Sequence, residues 1–252
     1  MKIKKIKFNY ENRQYLKLFE SIDINFYKKY ICYVKNYLRN KRASFLDIGC
    51  GNGNVLAELA KDGYKNIFGC EISSLFLEAA RKKGLRNLYH YGGKVLPFSA
   101  NSFKVVGSFG VLEHVDDPEV FLSEHIRVAK KFGIIIVVCP NFLSPFFPFP
   151  QPRLNKFSKR IVNIPNILGK LKSKECNFEK VSPIIRKDFQ PDDDMIVMTN
   201  LIDIETFFRQ KKCKILYSAG FLNRYNSLIK IIESIPVVKY FFPSCFLVAE
   251  KL

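Results

Sequence analysis

The segment Phe45-Leu-Asp-Ile-Gly-Cys-Gly-Asn-Gly-Asn54 runs from a short apolar stretch into a turn with Gly49, Gly51 and Gly53 at alternate positions. Glycine lets the backbone turn sharply and lets a ligand approach it closely. With a helix behind the turn, the ligand meets that helix's N-terminus and its free N–H groups. Two acids flank the turn. Asp47 stands two residues before Gly49, where a carboxylate repels a pyrophosphate. It attracts the ammonium of a methionine moiety, at about 1.5–3 kcal/mol for a charged hydrogen bond. Glu71 follows Phe68-Gly-Cys, and a carboxylate at the end of a second strand can accept both ribose hydroxyls. The dinucleotide fingerprint G-x-G-x-x-G/A wants a third small residue where this chain has Asn54. Two other groups invite chemistry. His114 could serve as a general base or merely pack and cap. Asp192-Asp193-Asp194 has the composition of a metal site, but a solvated turn after Pro191 is the expectation, and no metal is assigned.

Elements must hold these residues in place. Ser44–Ile48, Asn66–Cys70, Asn87–Tyr91, Phe103–Phe109 and Gly133–Cys139 read as strands. Between them Asn54–Asp62, Ser73–Lys83 and Pro118–Lys130 read as helices, two of them followed by Gly63 and Gly84. Strands alternating with helices predict an α/β fold with a doubly wound, mostly parallel sheet. Residues 9–40 carry helical spacing, with Leu16, Phe19, Ile22 and Phe26 recurring at three to four residues. After residue 140 the alternation breaks: eight of the twelve prolines fall in 140–191. A stretch this long reads as an insertion or lid. It is expected to hold two short helices, Leu154–Asn163 and Ile167–Leu171, separated by Pro165. The run Phe142–Phe149 is expected either to line an apolar substrate pocket or to form a hydrophobic lid. A helix Leu201–Lys211 and strands Lys214–Tyr217 and Phe246–Glu250 finish the chain. The division expected is a helical cap at 1–42, a cofactor-binding core at 43–140, the insertion at 141–198 and completion of the sheet by 199–252.

Residues 43–141 resemble the type 11 family of class I methyltransferases, which includes the ubiquinone and menaquinone methyltransferases. The resemblance rests on several motifs in order: Leu46-Asp-Ile-Gly-Cys-Gly-Asn-Gly53, Glu71-Ile72, Leu96-Pro-Phe98, Ser108-Phe-Gly-Val-Leu-Glu-His-Val115, Arg127-Val-Ala-Lys130 and Cys139-Pro-Asn141. It implies a Rossmann-like sheet of seven strands with the last one antiparallel. It also implies S-adenosyl-L-methionine as cofactor, held at the carboxyl ends of the strands. Asp47, Gly49, Gly51 and Glu71 match the family's cofactor contacts, and Ile72 matches the apolar residue packed on the adenine. Cys50, in the loop, and Phe109, at the end of the fourth strand, complete the expected contacts. His114 matches a position near the sulfonium and is the candidate catalytic residue. The family's acid for the adenine amino group is missing from Tyr91-Gly-Gly-Lys94, so the backbone of Gly93 and Lys94 is expected to serve instead.

The chain has 252 residues, 48% of them hydrophobic and 25% charged, as in globular proteins. No apolar run nears the roughly 18 residues of a membrane span. No secretory signal is read at the N-terminus, and the seven scattered cysteines are expected to be reduced thiols in a cytoplasmic protein. The net charge of +18 is concentrated in 1–42 and 141–187. That points to an acidic acceptor or to peripheral contact with an anionic membrane. The expected activity is methyl transfer, favoured at oxygen, to a small-molecule or lipid- or sugar-linked acceptor. A nucleic-acid methyltransferase is the alternative that charge suggests. It is disfavoured because Ser108-Phe-Gly-Val lacks the Asn/Asp-Pro-Pro-Tyr sequence that grips a flipped base. A non-catalytic module that binds S-adenosylmethionine is the other alternative.

Overall fold

The computed structural model describes residues 10–146, 156–173, 175–184, 193–221, 232 and 234–252, with the backbone alone at 156–160. Chain order runs α1 (Arg13–Glu20), a 3₁₀ turn (Ile24–Tyr27), α2 (Lys28–Tyr37), β1 (Phe45–Ile48), α3 (Asn54–Lys61), β2 (Ile67–Glu71), α4 (Ser74–Lys82), β3 (Leu88–His90) and β4 (Phe103–Phe109). A 3₁₀ turn (Leu112–His114), α5 (Pro118–Val128), β5 (Ala129–Pro140), α6 (Lys156–Lys172), β6 (Glu179–Lys180) and β7 (Val197–Met198) follow. The chain closes with α7 (Leu201–Gln210), β8 (Lys214–Phe221), a 3₁₀ turn (Val238–Phe241) and β9 (Ser244–Glu250). Seven strands form one sheet in the order β3-β2-β1-β4-β5-β9-β8, and β9 alone runs antiparallel to its neighbours. This is the Rossmann-like, mostly parallel seven-stranded sheet that the sequence predicts. The strand order reverses between β1 and β4, and such a switch point opens a crevice at the carboxyl ends.

Burial on both faces explains the apolar strands. In β5, Ile134, Ile136 and Val138 enter one core with Tyr30, Val34 and Leu59. Ile135, Val137 and Cys139 enter the other with Leu122, Phe207 and Phe208. Side chains alternate across a strand, so a strand covered twice must be apolar throughout. Helix starts follow local chemistry. The Ser73 hydroxyl accepts from the Phe76 N–H, Asp117 caps α5 ahead of Pro118, and Asn200 accepts from the Asp203 N–H. The Leu96-Pro-Phe98 motif is held from α5. Arg127 donates to the Leu96 and Phe98 carbonyls, and Glu124 accepts from the Leu96 N–H at 2.7 Å.

Two expectations are corrected and one is refined. The N-terminal helical spacing is carried by α1, the 3₁₀ turn and α2, as expected, with Ser21 closing the first helix and Asp23 opening the next turn. The two short helices expected around Pro165 are one helix, α6. Proline removes an N–H and crowds the carbonyl four residues back, at a cost of about 3 kcal/mol. Tertiary contacts on both sides of Pro165 outweigh it. Asn163 is buried and donates to the Phe142 and Ser144 carbonyls, Ile167 is fully buried, and Lys170 pairs with the buried Asp203 at 2.7 Å. Lastly, Asp193 and Asp194 are each only 3% exposed, where a solvated turn was expected. The segment is pinned by the Ile184 N–H donating to the Asp193 carbonyl and the Ile196 N–H donating to the Glu113 carbonyl. Asp192 lies outside the described residues, as do Phe147, Pro148, Phe149 and Leu154. Within the aromatic run, Phe142 is buried against Met195, while Phe146 is 60% exposed.

Candidate active site

β1 hands Asp47 to the crevice and then breaks into the glycine turn. Gly49, Gly51 and Gly53 all have positive φ, at +71°, +53° and +74°. A side chain would be strained at each. At Gly49 it would also collide, because a Cβ would lie 2.4 Å from a Val111 methyl. The Gly49 and Cys50 N–H groups donate to the Cys70 carbonyl, so the turn is bound to the end of β2. Glu71 completes the tie. Its carboxylate accepts from the N–H groups of Gly51 at 3.0 Å, Ile72 at 2.8 Å and Ser73 at 3.1 Å. Burial raises its pKa, and these three bonds oppose the rise.

Asp47 is buried, and the Tyr30 hydroxyl of α2 donates to it at 2.9 Å. Burial pushes its pKa up to about 7; the Tyr30 bond pulls it down and the Glu71 charge adds to the rise. Room for Tyr30 comes from Gly107 on β4, directly across from Asp47, where a Cβ would sit 2.1 Å from the phenol oxygen. Asn52 is also buried in the turn, and its side-chain Nδ2 has no partner among the described residues. An unsatisfied buried donor is costly and marks a place where an acceptor belongs. This donor, the two carboxylates and the left-handed glycines fit the S-adenosylmethionine that the family resemblance implies. Asp47 suits the ammonium and Glu71 the ribose. Ile72, 37% exposed, beside Gly93, where an added Cβ would lie 3.8 Å from the Ile72 side chain, suits the adenine face.

A cavity opens at the turn, walled by Phe19, Tyr27, Asp47, Asn52 and Phe109. The Phe19 ring lies over Gly51 and against Phe76, and Tyr15 packs on both rings. The Glu11 carboxylate accepts from the Ser74 and Leu75 N–H groups at the start of α4, clamping the N-terminal segment over the crevice. Cys50 is buried with its thiol against Gly69, where a Cβ would lie 2.6 Å away. Phe109 packs on Phe26, Tyr27 and Tyr30. His114 stands farther along, beside Asp194. Lys94 lies next to Gly93, which has the left-handed φ of +79°.

Sequence reasoning missed Tyr30, Asn52 and Asp194. Tyr30 and Asp194 come from elements remote in sequence, and no local pattern announces them. Asn52 could have been found, because the only polar side chain between Gly51 and Gly53 faces the same turn.

Residues 46–137 match the family described as a methyltransferase domain. The chain is 32% identical over 119 residues to a Mycolicibacterium smegmatis protein described as an S-adenosylmethionine-dependent methyltransferase, covering 47% of this chain and 46% of that one. It is 28% identical over 105 residues to the ubiquinone biosynthesis O-methyltransferase of Pelagibacter ubique, covering 40% and 43%. The chain therefore spans about half the length of the curated relatives it matches. Among solved structures, a SAM-dependent methyltransferase of Thermotoga maritima shares the fold at TM-score 0.56 and 19% identity, over 95% of this chain and 97% of that one.

Proposed function

We propose, on the premise that residues 46–137 are a methyltransferase domain of the S-adenosylmethionine-dependent class, that the whole chain methylates a small or lipid-linked acceptor at oxygen. The observation that carries this reading is the left-handed glycine turn set between two buried carboxylates, Asp47 and Glu71, on adjacent parallel strands. S-adenosylmethionine supplies an electrophilic methyl group on a sulfonium. The chain's own residues bind and orient it: Asp47 pairs with the ammonium, Glu71 accepts from the ribose, and Ile72 with Gly93 and Lys94 walls the adenine. The aromatic rings of α1 and Phe109 exclude water, and a dry, aligned site supplies most of the rate in such a transfer. Calorimetry on the purified chain is expected to register S-adenosylhomocysteine and no NAD. Incubation of a cell extract with labelled S-adenosylmethionine is expected to label a small or lipid product. Binding of NAD in place of S-adenosylhomocysteine would overturn the reading, and label confined to nucleic acid would overturn the acceptor class.

The exposed face of α6 supports an acceptor presented at an anionic membrane. Helix α6 buries Asn163 and Ile167 and exposes Ile161, Ile164, Leu168 and Leu171. Phe146, Val237 and Val238 are exposed as well. Besides Lys170, which is paired with Asp203, the helix sequence holds Lys156, Lys159, Arg160 and Lys172 and no acid. An apolar stripe with basic residues suits a bilayer interface, at about 1 kcal/mol per basic residue near an anionic surface. No described helix is long and apolar enough to cross a membrane. Vesicles containing anionic lipid are expected to sediment the protein at low salt and release it at high salt. Replacing Lys156, Lys159 and Arg160 by Glu should abolish this while S-adenosylhomocysteine affinity stays unchanged. Equal binding to neutral vesicles, or none to anionic ones, would overturn it.

A further inference from the structure

The glycine turn holds a buried donor that no described residue answers. Asn52 stands between the left-handed Gly51 and Gly53, and its own φ is not positive. It is 2% exposed and lines the cavity at the turn, and its side-chain Nδ2 has no hydrogen-bond partner among the described residues. Leaving such a donor unmet destabilises the fold, so its presence points to an acceptor that a ligand brings.

The groups around the same cavity identify that acceptor. Asp47 lines it too, with the Tyr30 hydroxyl donating to Oδ1 at 2.9 Å. An ionised carboxylate accepts at both oxygens, so Asp47 keeps capacity for an ammonium. Neither lysine nor arginine lines this cavity among the described residues. A carboxylate that enters it must therefore be met by neutral donors. Of the two asparagines there, Asn54 is already engaged. Its amide donates to the Phe19 carbonyl at 3.4 Å and accepts from Lys83 at 2.5 Å. Asn52 is the other, and it directly precedes α3. That helix has Gly53 as its cap and no side chain bonded to its first N–H groups, and Val55 of its first turn lines the cavity. A helix start favours negative charge. One wall thus offers an acceptor, Asp47, and a donor, Asn52, which together complement the ammonium and the carboxylate of an α-amino acid.

We infer that Asn52 reads the carboxylate of the cofactor: its Nδ2 donates to that carboxylate at the start of α3, while Asp47 takes the ammonium of the same amino-acid end. This rests on the methyltransferase reading above. The site then selects adenosyl sulfur compounds that carry a complete α-amino acid and discriminates against those that have lost the carboxylate. A donor kept for binding at the expense of stability is a recurrent trade-off at functional sites.

Calorimetry on the full chain compares two probes. One is S-adenosylhomocysteine. The other is its decarboxylated analogue, which keeps the adenosine, the sulfur and the amine. Asn52→Ala should weaken S-adenosylhomocysteine about 10-fold or more and the analogue less than about twofold. Asn52→Asp sets a like charge against the carboxylate and should weaken S-adenosylhomocysteine further than alanine does. Asp47→Asn addresses the ammonium, which both probes share, and should weaken both alike. Without ligand, Asn52→Ala should melt no lower than wild type, because it removes a buried donor that has no partner. An asparagine that served only to build the turn would instead lower the melting temperature and the affinity for both probes equally. That result, or full affinity for S-adenosylhomocysteine in Asn52→Ala, overturns the inference while leaving the methyltransferase reading intact. Failure of the wild-type chain to bind S-adenosylhomocysteine overturns both.

Discussion

Affinity for S-adenosylhomocysteine is expected to fall about tenfold for each pH unit below 7, and Asp47→Asn should abolish that slope. The cause is the burial of Asp47, which pushes its pKa up to about 7 against the pull of the Tyr30 hydroxyl. Below that pH the free protein carries a proton on Asp47. An ammonium beside the carboxylate favours the ionised form, so binding expels the proton. A ligand that expels a proton binds less tightly as protons become abundant, so affinity drops as the pH falls. The same shift acts on folding with the opposite sense. A carboxyl whose folded pKa lies above its unfolded value favours the fold at low pH. That contribution fades as the pH rises from the ordinary carboxylate range through about 7. Asp47→Asn should therefore melt no lower than wild type at pH 7.5 while losing about 10- to 100-fold in affinity. Calorimetry at pH 5.5, 6.5 and 7.5 reads the slope. A flat wild-type profile, or an Asp47→Asn variant with full affinity, would remove Asp47 from the cofactor site.

Glu71→Ala should cost about 3 kcal/mol of stability and more than 100-fold in S-adenosylhomocysteine affinity. The carboxylate accepts three backbone N–H groups, and the bond from Gly51 ties the glycine turn to the end of β2. Alanine leaves those donors to whatever water can reach them, and the turn loses its anchor. A carboxylate offers about four acceptor sites, so three N–H bonds still leave capacity for a ribose hydroxyl. Glu71→Gln separates the two roles. Its one carbonyl oxygen can keep the bonds from Ile72 and Ser73, which share Oε1. Its amide then opposes the Gly51 N–H where Oε2 stood. Glutamine should thus lose about 1 kcal/mol of stability and still lose most of the ligand affinity. Urea unfolding and calorimetry measure the two quantities on the same variants. Unchanged ligand affinity in Glu71→Gln would limit Glu71 to holding the turn.

The sequence by itself determined the sheet and the cofactor end of the site, because both are written locally. The apolar strands β1, β4 and β5 must be covered on two faces, and only a sheet with helices on both sides does that. The alternating glycines demand left-handed backbone whatever surrounds them, and Asp47 and Glu71 sit within a few residues of strand ends that fix their place. Tertiary structure alone decided the rest. Pro165 forbids a continuous helix by local rules, yet α6 runs through it, because Asn163, Ile167 and Lys170 find buried partners on either side. Asp193 and Asp194 have the composition of a solvated turn, yet they are buried where the segment ahead of β7 closes on the Leu112–His114 turn. The surroundings of His114 come from residues 10, 15, 113 and 194, and a contact across 179 positions leaves no trace in local spacing. Periodicity and turn chemistry report what neighbours in sequence require. Burial and charge pairing depend on neighbours in space, and only the folded chain supplies those.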